Sequence, residues 1–449
     1  MIIDERLIAD GIEPYVLSKL IDKHKSDFER LTMLKNYYLG KHEILERKKK
    51  SEGVANNKIV CNYAKYIVDM VQSYLVGNAV TYEPAEGIDI EELKRQYLEQ
   101  DIASLDSENL KNMSIYGRTY ELIYSNEDSK PRSVALNPCN TFVCYSQNAI
   151  QDPLFAVYYY PLYDLEGNIE KTICDVYDRD YIYRYEASGD TTDGLELIDG
   201  NYYEEHHFNS VPIIEYKNNT DEQGDFEQLI SLIDAYNALQ SDRVNDKEQF
   251  VDAFLFLIGV DLDSGLAKQL KEEKILLGID GAKAEYLSKV LSESDIEVLK
   301  NSIKNDIHKF SLVPDLTDEN FGNNLSGVAI KYKLLGFEQF TKNKERYYAK
   351  TLKQRFAIYN QFLVTKNAMK PVAVHEIDVM FKHNLPANDL ETAQIISLLE
   401  DIASDETLLR ELAFVNDAKE EVKFAKVERI ERMKEEQQSL IGDYDEDTE

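Results

Sequence analysis

Apolar residues recur at intervals of three or four along the first part of the chain, which is the spacing of one helix face. The pattern predicts helices over residues 3–40, 59–78 and 89–116, with Gly77-Asn78 as a C-terminal stop for the second. The stretch KHEILERKKKSEGVANNK between the first two is basic, polar and rich in turn formers. It is therefore predicted to be a surface loop.

Short runs rich in Tyr, Val and Ile replace the helical pattern between residues 117 and 216. The runs, which are separated by polar turns such as LEGN and SGDTTDG, are RTYELIY, TFVCYS, PLFAVYYY, KTICDVYD, DYIYRYE and VPIIEYK. Such segments are typical of antiparallel strands. We interpret their tyrosines as strand-packing residues whose hydroxyl groups reach the surface.

Three long helices are predicted in the second half, over residues 226–259, 292–311 and 329–366. The first has apolar ends around a polar middle, QSDRVNDKEQ, and such a helix usually crosses a solvated space or packs against a neighbouring subunit. Residues 372–382 alternate like a strand, and the rest is predicted to be helical up to the acidic tail GDYDEDTE. The expected fold class is α+β and predominantly helical, with long helices and an antiparallel β region.

Charge narrows the functions that this fold can carry. Lys and Arg number 51 against 83 Asp and Glu, so the net charge is −32. Such a surface repels phosphate, which argues against a conventional DNA-binding protein. It is compatible with a channel through which DNA slides without sticking.

Cysteine usage and hydropathy indicate where the protein is made. The four cysteines, Cys61, Cys139, Cys144 and Cys174, are too few in 449 residues for a disulfide framework, so we expect reduced thiols. The longest uncharged apolar run, AFLFLIGV, is far shorter than the roughly 20 residues of a spanning helix. The opening MIIDERLIAD lacks the features of a signal peptide. We therefore expect a soluble intracellular protein.

Catalytic motifs do not occur in the sequence. It contains no Walker loop, HExxH, GxSxG or GxGxxG. His206-His207 could hold a metal, but an exposed strand terminus is the preferred interpretation. His375 and His383 flank a predicted strand without a third ligand at a recognisable spacing. We therefore expect no enzyme, no cofactor and no metal.

Four segments carry a resemblance to a known family. They are YYLGKHEIL (37–45), NNKIVCNYAKYIVDMVQSYLVGNAVTYE (56–83), LIDAYNALQSDRVNDKEQFVDAFLFLIG (232–259) and FSLVPDLTDENFGNNLSGVAIKYKLLGFEQF (310–340). In this order, and with this length and acidity, they resemble the portal proteins of tailed bacteriophages, in the branch common among phages of Gram-positive hosts. The resemblance covers nearly the whole chain.

The resemblance implies a ring of about twelve subunits at one capsid vertex, through which double-stranded DNA is packaged and ejected. The implied partners are the terminase motor, the scaffolding and major capsid proteins, and a head-completion or connector protein, with no membrane. The implied location is the virion, with assembly in the host cytoplasm. The implied regions are a wing (1–225), two stem helices (226–259 and 292–311), a clip (260–291), a tunnel loop (312–328), a long helix with a wing-return strand (329–384), and a crown with an acidic tail (385–449).

Three sets of residues become candidate sites in this interpretation. The tunnel loop would line the DNA channel with Asp315, Asp318, Glu319, Asn320, Asn323 and Asn324. The clip would face the motor with Lys268, Lys271, Lys274 and Lys283. The basic cluster Arg47, Lys48, Lys49 and Lys50 is either a solvated loop or a contact with DNA or an acidic neighbour.

Two other classes of protein remain as alternatives. The first is another virion structural protein, such as a head-completion or tail component. The second is a metal-dependent nuclease in which Asp315, Asp318 and Glu319 bind Mg²⁺, although this stretch is predicted to be a flexible loop. The tunnel loop itself could also be an ordinary surface connection.

Overall fold

The computed structural model describes residues 1–9, 11–49, 55–189, 194–198, 203–251, 254–258, 283–287, 293–317, 327–383, 389–410, 412, 415 and 418–445. The chain forms two compact units. The first contains residues 1–32, 68–225 and 314–449, and the second contains residues 33–67 and 226–313.

Helices and strands both contribute, as the expected α+β class requires. The helices are α1 (Pro14–Lys25), α2 (Phe28–Tyr38), α3 (Tyr63–Val76), α4 (Glu91–Glu99), α5 (Ile102–Tyr116), α6 (Ile230–Val251), α7 (Glu293–Ser311), α8 (Gly327–Thr365), α9 (Asp389–Leu399), α10 (Asp405–Arg410) and α11 (Ala418–Asp445). The strands are β1 (Ile2–Ile3), β2 (Thr81–Pro84), β3 (Arg118–Ser125), β4 (Pro131–Leu136), β5 (Thr141–Ser146), β6 (Pro153–Tyr163), β7 (Ile169–Tyr177), β8 (Tyr181–Ser188), β9 (Glu196–Leu197), β10 (Tyr203–Glu205), β11 (Ile213–Lys217), β12 (Phe254–Ile258), β13 (Lys283–Leu287) and β14 (Ile377–Met380).

The strands of the first unit form two sheets and a ribbon. The larger sheet has the order β1-β5-β6-β7-β8-β10, with β9 also paired to β8. It is antiparallel except for the β1–β5 pair. The smaller antiparallel sheet has the order β11-β3-β4, and β2 forms an antiparallel ribbon with β14.

Two hydrophobic layers stabilise the first unit. Helix α1 contributes Leu17 and Ile21 to a cluster with Phe142 and Phe155 of the larger sheet. The long helix α8 buries four large residues at spacings of four, four and three, which places them on one face. They are Tyr348, Leu352, Phe356 and Tyr359.

The second unit is organised around an antiparallel pair of helices. Tyr63 on α3 contacts both Tyr236 on α6 and His308 on α7, with ring centroids 5.2 and 5.8 Å away. Further along, Arg243 on α6 pairs with Glu297 on α7 at 3.4 Å. Because residue numbers rise on α6 while they fall on α7, the two helices run in opposite directions.

The prediction of one helix over residues 226–259 is wrong at its C-terminal end. Helix α6 ends at Val251, and residues 254–258 form strand β12, which pairs with β13 from Phe254↔Leu287 to Ile258↔Lys283. The error arose because periodicity alone cannot distinguish a short apolar run in a strand from one in a buried helix. The segment predicted as a clip therefore shares a β-ribbon with the end of the predicted stem.

Two further helix predictions need correction. Residues 3–40 contain the last residue of β1, a short 3₁₀ turn, α1 and α2 rather than one helix. Residues 89–116 are divided between α4 and α5 by Asp101, whose φ of 53° interrupts the helix. Left-handed backbone ends a helix, and Asp adopts it more readily than most residues.

Several other predictions are confirmed. Helices α7 and α8 match the segments predicted over 292–311 and 329–366, and the strands predicted between 117 and 216 are present. The strand predicted over 372–382 is shorter, since only Ile377–Met380 pairs, following a 3₁₀ turn. Three helices, α9 to α11, occupy the C-terminal region.

Candidate functional site

The polar middle of α6 binds a segment of its own chain, residues 55–62, which we call the strap. Three side chains of α6 accept hydrogen bonds from backbone N–H groups of the strap. The pairs are Asn237 Oδ1 with Cys61 N at 2.8 Å, Ser241 Oγ with Ile59 N at 2.9 Å, and Asn245 Oδ1 with Asn57 N at 2.7 Å.

The spacing of these bonds follows from the two backbone geometries. Four helical residues rise about 6.0 Å, while two residues of extended chain span about 6.6 Å. Acceptors at i, i+4 and i+8 can therefore meet every second N–H of an antiparallel strap. Asn237, Ser241 and Asn245 are all buried. One side of the polar middle, at Ser241 and Asn245, is therefore occupied by the same chain, whereas Asp242, Lys247 and Glu248 on its other sides are exposed.

His42 fixes one end of this ladder. Its Nε2 donates to the Tyr37 carbonyl oxygen at 2.9 Å, so its Nδ1 can accept from Asn237 Nδ2 at 2.8 Å. Its ring stacks on Tyr37, and burial lowers the pKa of His42. The imidazole is therefore neutral, with its proton on Nε2. The loop predicted over residues 41–58 accordingly contains a buried anchor.

Within the described part of the basic cluster, one side chain is ion-paired and two are exposed. Arg47 is ion-paired with Asp242 on α6, which commits its guanidinium to the unit's own structure. Lys48 and Lys49 are exposed. Lys50 lies outside the described residues.

The segment after α7 begins as an ordered turn. Leu312 has a φ of 59°, and Val313 is buried, with its carbonyl oxygen accepting from His308 Nδ1 at 3.0 Å. Asp315 Oδ1 accepts from both the backbone N–H and the hydroxyl of Thr317, at 3.1 and 2.6 Å.

Most of the predicted tunnel-loop residues lie outside the described part of the chain. They are Asp318, Glu319, Asn320, Asn323 and Asn324. The far end of the segment predicted as a loop is already helical, because α8 begins at Gly327.

Of the four predicted clip lysines, one lies within the described residues and three lie outside them. Lys283 is the first residue of β13, where its backbone pairs with Ile258. Lys268, Lys271 and Lys274 lie outside the described residues. The β12–β13 ribbon is thus the part of the clip region for which pairing is defined.

Sequence reasoning missed a buried ionic network in the first unit. The Arg355 guanidinium forms two hydrogen bonds with Glu121, from Nε at 2.8 Å and from Nη2 at 2.7 Å. Its Nη2 also contacts Asp106 Oδ1 at 2.6 Å. All three side chains are essentially inaccessible to solvent. Burial raises the pKa of Asp106, and the neighbouring Arg355 guanidinium opposes that shift.

Several tyrosine hydroxyls are buried in this network or beside it, contrary to the prediction that they reach the surface. Tyr216 donates to Glu121 at 2.6 Å, and Tyr120 donates to Glu215 at 2.9 Å. Tyr120 is directly opposite Glu215 in the β3–β11 register. Burial raises the pKa of Tyr120 and Tyr216 well above the ordinary value, so both hydroxyls remain protonated donors.

A second buried ion pair holds the chain at the end of the smaller sheet. Lys344 on α8 contacts Asp225 at 2.6 Å and donates to the Ser114 hydroxyl. Gly117 and Gly224 let the loop before Asp225 lie against the end of α5. A Cβ on Gly117 would come within 1.9 Å of the Glu222 carbonyl oxygen, and one on Gly224 within 2.4 Å of that of Ile115.

Charged contacts also tie the C-terminal helices to the β2–β14 ribbon. Glu83 on β2 accepts from Arg410 at 2.8 Å and lies 3.4 Å from Lys419. Lys382, just after β14, donates to the carbonyl oxygens of Leu412, at 2.7 Å, and Val415. These four side chains connect α10, α11 and the segment between them to the ribbon.

The histidines and cysteines have structural surroundings. His206 is buried rather than exposed, with Nε2 bonded to the Asp178 carbonyl oxygen at 3.1 Å, whereas His207 is exposed. All four cysteines are free thiols. Within the described ranges, no group of three or more His, Cys, Asp or Glu side chains is placed to hold a metal ion. Among those same residues, no helix combines the length and apolar character needed to cross a membrane.

Comparison with known proteins confirms the resemblance drawn from the four sequence segments. Residues 17–442 match the family model described as "Phage portal protein, SPP1 Gp6-like". A portal protein of Bacillus phage SPP1 is 25% identical over 436 residues, covering 91% of this chain and 84% of its own. A portal protein of Clostridium phage phiCD119 is 24% identical over 423 residues, covering 87% of this chain and 91% of its own. Since the family model spans nearly the whole sequence, the chain belongs to the SPP1 Gp6-like family of phage portal proteins.

Proposed function

We propose that this portal protein assembles into a ring of about twelve subunits whose central channel carries double-stranded DNA during packaging and ejection. The observation that carries the proposal is the antiparallel α6–α7 pair, which continues into the β12–β13 ribbon at one end. A helix pair with a ribbon at its tip is an element that can line a channel and present its tip to a docking partner.

In this proposal, α6 and α7 are the stem and the β12–β13 ribbon belongs to the clip. We assign residues 252–292 to the clip, instead of 260–291, because α6 ends at Val251 and α7 begins at Glu293. Lys268, Lys271, Lys274 and Lys283 are then candidates for docking the terminase motor and, later, a head-completion protein. The scaffolding and major capsid proteins would bind elsewhere on the ring at its capsid vertex.

The net charge of −32 supports transport rather than capture of DNA. A channel wall that repels phosphate does not bind the duplex, so DNA does not have to dissociate from the wall at each translocation step. We expect the purified protein to bind duplex DNA no more tightly than about 10⁻⁶ M at physiological salt, the tight end of ordinary non-specific binding. A dissociation constant well below that value would contradict the sliding channel.

Ring formation has a direct test. Twelve chains of 51.8 kDa give a mass of about 620 kDa. Mass photometry should find a species near that mass, and negative-stain images should show a central hole. A stable monomer or dimer, or a particle without a hole, would favour another virion structural component instead.

The tunnel-loop assignment is tested separately from the ring. In the proposal, Asp315 to Asn324 form a polar collar around the duplex, and the turn at Asp315 sets the direction in which the collar begins. Replacing Asn323 and Asn324 with Lys should leave rings intact but stall packaging, because cations would grip the phosphates. The matched control replaces both with Ser. Normal packaging by the Lys variant would show that these residues do not form a collar around the duplex.

Lys48, Lys49 and Lys50 are the remaining candidates for a basic contact, since Arg47 is occupied by Asp242, and Lys48 and Lys49 are the two that the structure describes. In the proposal they contact DNA or an acidic neighbouring subunit. Replacing both with Glu should impair packaging or ring yield while leaving thermal stability unchanged. If neither changes, the two lysines belong to an ordinary solvated loop.

A further inference from the structure

Helices α9 to α11 have little hydrophobic core of their own. They surround a groove to which each helix contributes apolar side chains. Among the described residues from 389 onward, only Leu408, Val415 and Ala418 are buried. Helix α10 has six residues, and a helix of that length is marginal in water without supporting contacts. It therefore depends on its contacts with α11 and with the rest of the first unit.

The contacts between these helices and the β2–β14 ribbon are reciprocal in charge. The carboxylate of Glu83 on β2 lies 2.8 Å from Arg410 Nη2 and 3.4 Å from Lys419 Nζ. In the other direction, Lys382 Nζ donates to the carbonyl oxygens of Leu412 and Val415, which follow α10. Carbonyl groups at the end of a helix carry partial negative charge. The ribbon and the helices therefore each supply the charge that the other needs.

Glu83 is the central residue of this contact. Its side chain is only 10% exposed, and it accepts from both cations of the helices. It also lies directly opposite Asp378 in the ribbon, where two like charges on one face repel each other. Docking of Arg410 and Lys419 offsets that repulsion, so the ribbon gains stability from the helices as well as supporting them.

The ribbon end of the contact is anchored without help from the helices. Asn78 Nδ2 donates to the Lys382 carbonyl oxygen at 3.0 Å. The ring of His383 stacks on Tyr74 with centroids 4.6 Å apart, and its Nε2 lies 3.0 Å from Glu345. The C-terminal helices, rather than the ribbon, are therefore the part that can leave the contact.

We propose that Glu83 and Lys382 form a latch on which α10 and α11 dock reversibly, under the control of ionic strength. Arg410 and Lys419 are 43% and 40% exposed, so dissolved ions reach both of them. The screening length of salt falls from about 10 Å at 0.1 M to about 3 Å at 1 M, which weakens such pairs. Undocking breaks the charged contacts but leaves the ribbon and the sheets folded. The latch is a property of one subunit and does not depend on the proposed ring.

Hydrogen exchange of the full-length protein tests the latch at residues 408–410, because the amides of so short a helix are protected only while it is held in place. In 0.1 M NaCl, Glu83→Gln should exchange these amides at least about tenfold faster than the parent, since contacts between charged groups typically contribute at least that factor. Raising NaCl to 1 M should accelerate exchange in the parent but have little further effect in Glu83→Gln. A fold contact that is not electrostatic would not show this loss of salt dependence.

Two further variants and one internal control accompany the measurement. Lys382→Met removes the other half of the latch and should also accelerate exchange at residues 408–410. Glu406→Gln is the matched control, because Glu406 contacts Arg410 at 2.8 Å within α10 but does not reach the ribbon. It should change exchange by less than about twofold. Exchange in the ribbon strands, residues 81–84 and 377–380, should remain slow in all variants.

Three results would overturn the latch. The first is exchange at residues 408–410 that does not respond to salt in the parent, and the second is unchanged exchange in both Glu83→Gln and Lys382→Met. The third is equal acceleration in the ribbon strands and in α10, which would show that the contact is an inseparable part of the fold.

Discussion

The ammonium group of Lys344 lies 2.6 Å from the carboxylate of Asp225, and both side chains are almost completely buried. Burial lowers the pKa of Lys344, while the Asp225 charge opposes that shift. Asp225 also accepts from Asn218 Nδ2 at 2.8 Å. The pair therefore ties α8 to the loop that leads into the second unit's helices along the chain.

Removing one member of this pair should be costly. Lys344→Met leaves the Asp225 charge buried and unpaired, which typically destabilises a protein by about 3–5 kcal/mol. The double variant Lys344→Met/Asp225→Asn should recover much of that loss, because the amide is neutral and can still accept from Asn218. Urea denaturation midpoints provide the measurement. A double variant no more stable than Lys344→Met would show that the charge is not the cause.

The two carboxylates around Arg355 should respond differently to neutralisation. Asp106→Asn resembles the protonated form that burial favours, so it should change stability by less than about 1.5 kcal/mol, whereas Glu121→Gln breaks the two-bond contact with Arg355 and should cost about 3–5 kcal/mol. Thermal denaturation of both variants measures the difference. Equal losses would show that the two-bond contact of Glu121 with Arg355 contributes no more than the single contact of Asp106.

The same network predicts a pH dependence. Because the pKa of Asp106 is raised in the folded protein, the folded state holds a proton that the unfolded chain loses near its ordinary pKa of about 3.9. This contribution to stability is full below that value and is lost as pH rises through the raised pKa. The stability of Asp106→Asn relative to the parent should therefore increase with pH. A difference that stays constant as the pH rises from below about 3.9 to neutrality would contradict it.

Two glycines with nearly the same φ allow the effect of steric crowding to be distinguished from that of backbone strain. Gly117 and Gly87 have φ of 81° and 82°, but only Gly117 has backbone atoms within 4 Å of an added Cβ. Gly87→Ala should cost about 1–2 kcal/mol, the ordinary penalty for left-handed backbone. Gly117→Ala must also displace the Glu222 carbonyl group, so it should lower the melting temperature much further or abolish folding. Similar melting temperatures would disprove the close approach.

The contacts of the strap predict that one substitution changes both the overall stability and the local rate of hydrogen exchange. Ser241→Ala leaves the Ile59 N–H without its acceptor, which should cost about 1–2 kcal/mol. Hydrogen exchange should accelerate at residues 57–61. The control Lys247→Ala, at an exposed position on α6, should change stability by less than about 0.5 kcal/mol and leave exchange unaltered. Unchanged exchange in Ser241→Ala would mean that the ladder does not hold the strap.

The sequence predicted those elements whose signal is long and local. Helices α7 and α8 have periodic apolar positions over many residues, and their predicted bounds differ from the observed ones by at most two residues. The strand Phe254–Ile258 was assigned to a helix because five consecutive apolar residues carry no usable period. Its partner β13 is more than twenty residues away, so no local pattern could reveal the pairing.

The candidate site was predictable only in outline. The polar middle of α6 was visible in the sequence, but its partner Asn57-Lys58-Ile59 is about 180 residues away along the chain. The roles of Tyr120 and Glu215 depend on strand register, which places them opposite each other in a buried sheet. Family resemblance, by contrast, depends on several segments in order, and was therefore recognisable from the sequence.

Four residues of α6 rise less than two residues of the strap span, so their hydrogen-bonding groups stay in step over only a short length. The two steps from Asn237 to Asn245 accumulate a mismatch of about 1.2 Å, and a third would bring it to about 2 Å, more than hydrogen-bond lengths allow. Sliding by one step would bring the strap opposite Ile233, a buried residue that offers no acceptor. A slide towards Ile233 therefore loses a hydrogen bond, so the strap is held in its observed register on α6 against movement in that direction.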